Sequence, residues 1–120
     1  MKTELRQLGD SGEELAAADY ERRGYEILAR QYAVRGVGEA DIVCRRGGEL
    51  VFVEVKTRRT RRFGAPEDAV TEVKRRRLRR VAQDYIARSG CGESCRIRFD
   101  VAAITKNNEQ IEINVIENAF

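Results

Sequence analysis

Two short apolar-rich runs, separated by a pair of glycines, form the clearest hydrophobic pattern in the chain. The first run covers residues 40–46 and the second covers residues 49–56, with Gly47-Gly48 between them. Glycine supplies the positive φ angle that a two-residue turn needs, so this pattern predicts a β-hairpin. In the second run, apolar residues occupy both faces of the predicted strand, which indicates that the strand is buried on both faces.

The first helix is predicted near the start of the chain. Ser11, followed by Glu14 three residues later, has the form of a capping box and would be the N-cap. Leu5 and Leu8 would instead extend the helix backward, so its first residue stays open. Gly24 is placed to end the helix, because glycine readily adopts the conformation that follows a last turn.

The second helix is predicted from Thr71, a suitable N-cap, to about Arg88, with Gly90 beyond it. Its apolar residues recur at helical spacing and form one stripe: Leu78, Val81, Ala82, Tyr85 and Ile86. Lys74 extends this stripe toward the start of the helix, so we expect it to point toward the end of the sheet. Most of the arginines lie off the stripe.

Three further strands complete the prediction. They cover residues 25–33, 96–105 and 110–116, and the last of them should turn three apolar residues inward, Ile111, Ile113 and Val115. The order α-β-β-β-α-β-β predicts a mixed α/β (α+β) fold with a central sheet flanked by helices. The length suits a single domain, residues 1–120, with a single core.

Composition narrows the class of protein that these elements build. Hydrophobic residues make up 42% and charged residues 36% of the 120 positions, as in globular domains. The first residues, MKTELRQLGDSGEE, are polar and lack a secretory apolar segment, and no apolar run is long enough to span a membrane. We therefore expect a cytoplasmic protein.

The chain contains three cysteines and no histidine. An odd number without a secretion signal favours free thiols, with Cys44 as a small buried residue and Cys91 and Cys95 in a glycine-containing loop. A structural zinc site needs four ligands, which these residues do not supply. Without histidine there is no histidine-based triad, so any hydrolysis would rely on carboxylates, lysine and a metal.

Basic residues concentrate in one window of the chain. The net charge is only +3, but residues 56–80 hold eleven lysines and arginines against three acids. Such a cluster is the electrostatic signature of a polyphosphate partner, although a solvated arginine-rich helix face gives the same pattern. Arginine in place of lysine favours phosphate contact, because its planar fork suits phosphate oxygens.

The hairpin register brings charged residues together at one end. Counting outward from the glycines places Asp41 opposite Glu54 and Glu39 opposite Lys56. Lys56 projects from the same face as Glu54, because side chains two positions apart in a strand share a face. Two carboxylates this close repel unless a cation lies between them. A functional site and an ordinary cross-strand ion pair both fit this arrangement.

Glu13 is a further acidic candidate in the first helix. It falls on the same helical face as Ala16, Ala17 and Tyr20, so it could point toward whatever this face packs against. The alternative is a first-turn acid that the helix dipole favours.

These residues, in this order, resemble a known family. The matching pieces span nearly the whole chain: Gly12-Glu13, Gly38-Glu39-Ala40-Asp41, the run LVFVEVKTR at residues 50–58, Phe63-Gly64, Lys74, Arg77-Leu78 and Arg98-Phe99-Asp100-Val101. The chain resembles the YraN-like family of small bacterial predicted nucleases, which is related to archaeal Holliday junction resolvases. It thereby resembles the restriction-endonuclease-like core of the PD-(D/E)xK superfamily, with alanine in place of the motif's proline.

The resemblance implies a catalytic set. Asp41 and Glu54 would bind a divalent metal, Mg²⁺ or Mn²⁺, with the carbonyl of Val55 as a further ligand. Lys56 would position or deprotonate the attacking water, or steady the developing charge on the phosphate. Glu13 would be an additional carboxylate from the helix.

The resemblance also implies a metal-dependent endonuclease that hydrolyses DNA, with branched DNA as one candidate substrate. The expected nucleic-acid-binding residues are Arg58, Arg59, Arg61, Arg62, Lys74, Arg75, Arg76, Arg77 and Arg80. A binding module with this fold but little cleavage is the main alternative, and a purely structural or partner-binding domain is a third. The choice between DNA and RNA stays open, as does a homodimer.

Overall fold

In the computed structural model, the helices and strands follow one another in the predicted order. The structure describes residues 2–59, 70–90, 95–107 and 110–120. The elements in these ranges are α1 (Lys2–Arg22), β1 (Glu26–Val34), β2 (Gly38–Arg46), β3 (Glu49–Arg58), α2 (Glu72–Ser89), β4 (Arg96–Asn107) and β5 (Gln110–Ile116). The predicted mixed α+β fold and its element order are confirmed.

β3 is the central strand of a five-stranded mixed sheet. The strand order is β1-β2-β3-β4-β5, and β3 runs antiparallel to β2 and parallel to β4. Four consecutive residues of β3, from Leu50 to Val53, are at most 1% exposed. This burial on both faces explains the apolar run, because helices cover both sides of the strand.

The hairpin between β2 and β3 has the predicted turn and register. Gly47 has a φ angle of 59°, and the ladder pairs Arg46 with Glu49 and continues to Ile42 with Val53. The ladder ends there, so the expected pairing of Asp41 with Glu54, and of Glu39 with Lys56, is not part of it.

α1 begins earlier than the capping-box pattern predicts. It starts at Lys2, so Ser11 lies inside the helix and is not its N-cap. The capping-box pattern was misleading because the residues before Ser11 are also helical. The alternative prediction, in which Leu5 and Leu8 extend the helix backward, allowed for this. At the other end of α1, Gly24 has a φ angle of 92°, as expected for a residue that ends a helix.

α2 has both of its predicted ends. The side chain of Thr71 accepts a hydrogen bond from the Lys74 amide at 3.2 Å, which confirms it as the N-cap. Gly90 has a φ angle of 72°, and its amide donates to the Ile86 carbonyl.

The sheet divides the buried apolar residues into two clusters, where the sequence suggested a single core. On one face, Ala16, Ala17 and Tyr20 of α1 pack against the sheet. On the other face, the α2 residues Leu78, Val81 and Ala82 do so. The protein is therefore a three-layer structure with one helix on each side.

The outer strand β5 differs from the prediction at one position. Ile113 and Val115 pack against the α1 cluster, but Ile111 is 46% exposed. Ile111 pairs with the exposed Lys106, beyond the last cluster residue of β4, Ile104. The alternation is right, but the helix does not cover this end of the sheet.

The prediction of free thiols holds only in part. Cys44 is a free, buried cysteine, as expected, but Cys95 is disulfide-bonded. Cys91 lies outside the described residues. Neither helix of the described ranges carries an apolar stretch of the length that crossing a bilayer requires.

A buried network of charged and phenolic groups joins several elements at the hairpin end. Arg98 forms hydrogen bonds through Nε and Nη2 to Asp100, at 2.8 and 2.9 Å, and through Nη1 to Glu49. The hydroxyl of Tyr20 donates to Asp100 at 2.7 Å, and Arg98 donates to the hydroxyl of Tyr25. Asp100 is fully buried, so these bonds compensate the loss of water around its carboxylate.

Candidate active site

A cleft of about 310 Å³ opens beside the ends of β2 and β3, under the start of α2. Its wall combines acidic residues from the strands with basic and apolar residues from α2. The lining residues are Gly38, Glu39, Asp41, Glu54, Val70, Lys74, Arg77 and Leu78. The cleft thus contains both carboxylates that the sequence singled out.

Asp41 lies where β2 separates from β3. Its Oδ2 accepts a hydrogen bond from the amide of Val55 at 2.7 Å, so the side chain takes the place of a main-chain acceptor. Burial, followed by the negative charge of Glu54, raises the pKa of Asp41 to about 7, and Glu13 and Glu39 add smaller increases. The hydrogen bond from Val55 acts in the opposite direction. The protein therefore holds this carboxylate in a position that penalises its charge.

Glu54 lies between two lysines. Its Oε1 is 3.5 Å from Nζ of Lys56 and 3.5 Å from Nζ of Lys74. The Glu54 side chain is only 16% exposed, so these contacts are poorly screened by water. Lys74 comes from α2, and its approach to the sheet end confirms the orientation predicted from the helical stripe.

The two lysines differ in their proton affinity. Burial lowers the pKa of Lys56, as does the nearby Lys74, while Glu54 partly offsets the shift. The pKa of Lys74 is raised, first by its hydrogen bond to Lys56 and then by Glu54, against an opposing effect of burial. Lys56 is therefore the amine that gives up its proton more readily.

Glu13 reaches the same region from α1. Its side chain is 11% exposed, and its Oε1 lies 3.5 Å from Nη2 of Arg30, an ion-pair distance. This oxygen has no hydrogen-bond partner within the described residues. Arg30 was not a sequence candidate, because no local pattern shows that β1 carries it to α1.

A close contact between α1 and β3 brings Glu13 to this position. Gly12 precedes Glu13, and a Cβ atom on Gly12 would overlap Oγ1 of Thr57 and also touch Ile104. Only a glycine lets the helix approach the strand this closely. Since Thr57 follows Lys56 directly, the contact fixes α1 next to the charged end of β3.

The predicted nucleic-acid-binding residues occupy different surroundings. Arg77 lines the cleft, while Arg76 and Arg80 are exposed on the outer face of α2. Arg75 is half-buried and donates to the Val70 carbonyl at 3.1 Å. Two further candidates lie at the end of β3. Arg58, its last residue, is half-buried, and Arg59, which follows it, is exposed. Arg61 and Arg62 lie outside the described residues.

The donors at the site suit a small divalent cation. Two carboxylates and a main-chain carbonyl are hard oxygen ligands of the type that Mg²⁺ and Mn²⁺ prefer. In an extended strand, the N–H and C=O groups of one residue point to the same side, so the Val55 carbonyl lies on the side of β3 from which its amide binds Asp41. Within the described ranges, no three acidic, cysteine or histidine residues form a metal-binding group by themselves. A metal here would therefore keep water among its ligands.

Comparisons with known proteins identify a family, but the family description states no activity. The model of the uncharacterised protein family UPF0102 matches residues 12–104. The UPF0102 protein of Caldicellulosiruptor saccharolyticus is 46% identical over 117 residues, covering 96% of this chain and 98% of that protein. The UPF0102 protein of Symbiobacterium thermophilum is 46% identical and covers 96% and 97%. That of Geobacter sulfurreducens is 48% identical and covers 94% and 88%.

Proposed function

Because the chain belongs to the uncharacterised protein family UPF0102, whose description gives no activity, we propose a function from its site. The protein is a metal-dependent endonuclease that hydrolyses phosphodiester bonds in DNA, and it is a member of the PD-(D/E)xK superfamily in a single domain. Its substrate would place it in the cytoplasm. The resemblance of residues 50–58 to the YraN-like nucleases supports the same activity.

One observation carries the proposal: Asp41 and Glu54 lie together in a cleft, with Lys56 beside them. Burying two carboxylates side by side is costly unless a cation compensates them. A lysine next to such a pair could position the attacking water or accept its proton. This combination is difficult to explain as a requirement of the β2–β3 hairpin, because Asp41 and Glu54 lie beyond its last pair, Ile42 with Val53.

Asp41, Glu54 and the carbonyl of Val55 would hold the metal, Mg²⁺ or Mn²⁺. When bound, it would supply Lewis acidity, which lowers the pKa of water and compensates charge on the phosphate. The protein's own residues would orient the carboxylates and limit the access of water. The Val55 amide orients Asp41, and burial keeps bulk water away from both carboxylates.

Lys56 would act on the attacking water. Its lowered pKa leaves more of the amine unprotonated and therefore able to take a proton from the water, and its position 3.5 Å from Glu54 keeps it beside the carboxylates. Lys74 would contribute positive charge to the same oxygen from the side of α2. The buried carboxylate of Glu13 would add to the negative potential that attracts the metal.

The basic face of α2 would hold the nucleic-acid backbone. Arg77 enters the cleft, and Arg76 and Arg80 continue the positive surface outward. Arginine binds phosphate oxygens through a planar fork without reading the base sequence. Such contacts carry no sequence preference. Branched DNA is the leading candidate substrate because of the resemblance to the Holliday junction resolvases.

A nucleic-acid-binding module without efficient cleavage is the second candidate. The observation in its favour is that Lys56 and Lys74 both contact Glu54, so lysines already compensate one carboxylate without a metal. The two candidates predict the same binding surface and differ in metal dependence.

Calorimetric titration of Mn²⁺ and Mg²⁺ separates the two candidates. We expect the wild type to bind metal and Asp41→Asn to lose binding. Glu39→Gln, which removes a carboxylate from the same cleft, is the matched control and should keep most of the affinity. The same samples are then incubated with labelled branched and linear DNA. Metal-dependent nicking by the wild type supports the nuclease, and DNA binding without metal binding supports the module.

A further inference from the structure

The arginines of α2 divide into two groups by what they contact. Arg77 lines the cleft, and Arg76 is exposed to solvent. Arg75 and Arg79 instead lie over the ring of Phe120, with their guanidinium carbons 5.4 and 5.8 Å from its centroid. Cation–π contacts of this kind hold a guanidinium group against an aromatic face. Positive charge on α2 therefore does not mean that each arginine is available to phosphate.

Phe120 is itself fixed to the sheet. Its ring stacks on Phe99 of β4, with centroids 5.3 Å apart and planes inclined by 19°. The amide of Ala119 donates to the Phe99 carbonyl at 2.8 Å, and the amide of Asn118 donates to Asp100 at 3.0 Å. The segment that follows β5 thus presents a ring in a defined position under α2.

Arg75 connects this ring to the wall of the cleft. Its Nε donates to the carbonyl of Val70, and Val70 is 2% exposed and lines the cleft. Val70 directly precedes Thr71, the N-cap of α2, whose carbonyl accepts from the Arg75 amide at 2.9 Å. One side chain therefore links Phe120 to the first turn of the helix.

We propose that Arg75 is a positioning residue for the active site and does not bind phosphate. Held between Phe120 and the Val70 carbonyl, it fixes the start of α2, and with it Lys74 and Arg77 above the carboxylates. The inference rests on the proposed function for its consequence in catalysis, but the link itself can be tested separately. It assigns Arg75 a different role from the one that its charge alone suggests.

The first test measures DNA affinity against salt for three variants that each remove one charge from α2. A residue that contacts phosphate contributes about one unit to the slope of log affinity against log salt. We expect Arg77→Gln to lower the slope by about one, and Arg75→Gln to leave it unchanged. Arg76→Gln calibrates the effect of an exposed charge on the same helix. A slope loss in Arg75→Gln equal to that in Arg77→Gln would overturn the proposal.

The second test does not depend on nuclease activity. Hydrogen exchange is measured at the amides of Lys74 and Arg75, which donate to Thr71 in the first turn of α2. Phe120→Leu removes the ring and keeps an apolar side chain, so we expect faster exchange at these amides and little change in the rest of the helix. Unchanged exchange in Phe120→Leu would refute the link, whether or not the protein cleaves DNA.

Catalysis provides the third measurement, with a rescue that a general loss of stability would not show. If the wild type cleaves, Phe120→Leu and Arg75→Gln should lose about tenfold to a hundredfold in cleavage rate at saturating DNA. Arg75→Lys keeps a cation over the ring and a donor for Val70, so it should recover most of the rate. Equal losses in Arg75→Lys and Arg75→Gln would contradict the positioning role. An inactive wild type would reject the proposed function and leave the exchange result to decide the link.

Discussion

Val55 contributes its main chain to the site, and this contribution determines how the two carboxylates meet. Its amide binds Asp41, while its side chain packs against the α1 cluster. A residue that looks like ordinary strand core in the sequence therefore connects the core to the acidic pair. Substitutions of the Val55 side chain should therefore affect the packing of the core more than the chemistry of the site.

Lys56 is the residue whose removal should separate cleavage from binding. We expect Lys56→Ala to lower cleavage by roughly 10²–10⁴-fold, the usual range for a lost acid–base group, with DNA affinity close to that of the wild type. Lys106→Ala removes an exposed lysine of β4 and serves as the charge-matched control. Single-turnover rates and binding isotherms check the prediction. Parallel losses of rate and affinity would make Lys56 a binding or structural residue.

Cys44 should be inert in the folded protein. Burial raises the pKa of its thiol to about 12, so almost no thiolate is present at neutral pH, and the sulfur is inaccessible. In a Cys91→Ser, Cys95→Ser double variant, Cys44 is the only thiol left. We expect it to react with an aromatic disulfide reagent only as fast as the protein unfolds. Rapid labelling in native buffer would show that this part of the core opens.

At the level of elements, the hairpin and α2 could be predicted because their signals are local. The glycine pair set the register of β2 and β3, and Thr71 with Gly90 marked the ends of α2. The helical period alone placed Lys74 over the sheet end.

Other features depend on where elements meet, which the sequence does not show. The ladder ends at Ile42 and Val53, so Asp41 contacts an amide instead of pairing opposite Glu54. Arg30 approaches Glu13 because β1 pairs with β2 through an irregular register. The exposure of Ile111, likewise, follows from how far the α1 side of the core extends, and strand alternation carries no information about that.

The contact of α1 with β3 makes Gly12 a sensitive position. Alanine in place of a helical glycine usually stabilises a helix by about 1 kcal/mol, but here its Cβ would overlap Thr57. We expect Gly12→Ala to destabilise the protein by about 1–3 kcal/mol, the usual cost of overpacking, and to weaken metal binding by displacing Glu13. Denaturant unfolding measures the first effect. Adding Thr57→Ala should restore much of the loss; if it does not, the crowding lies elsewhere.

At the level of the whole molecule, the buried network around Arg98 connects α1, β3, β4 and Tyr25, which directly precedes β1. Arg98→Met keeps much of the side-chain volume but leaves the carboxylate of Asp100 buried without its main partner. We expect a loss of about 3–5 kcal/mol, as for other broken buried ion pairs. The double variant Arg98→Met, Asp100→Leu removes both charges and should recover stability. Thermal unfolding of the wild type, the two single variants Arg98→Met and Asp100→Leu, and the double variant tests this cycle.

The charge distribution of the whole molecule predicts a steep salt dependence. The net charge is only +3, so affinity for DNA depends on the local arrangement of cations, not on the total. For about four phosphate contacts, affinity should fall about a hundredfold between about 50 and 200 mM salt. Fluorescence anisotropy with labelled DNA measures this directly. A flat response would remove nucleic acid as the partner.

The central position of β3 also determines the order in which the site is assembled during folding. β3 pairs with β2 across a two-residue turn, but it pairs with β4 only after the chain has passed through α2. Hairpins close within microseconds, whereas a parallel pair must first bring distant parts of the chain together. We therefore expect Asp41 and Glu54 to come together early and Lys74 to join them late. On this order, a newly folding molecule would form its acidic pair before the cationic wall closes over it.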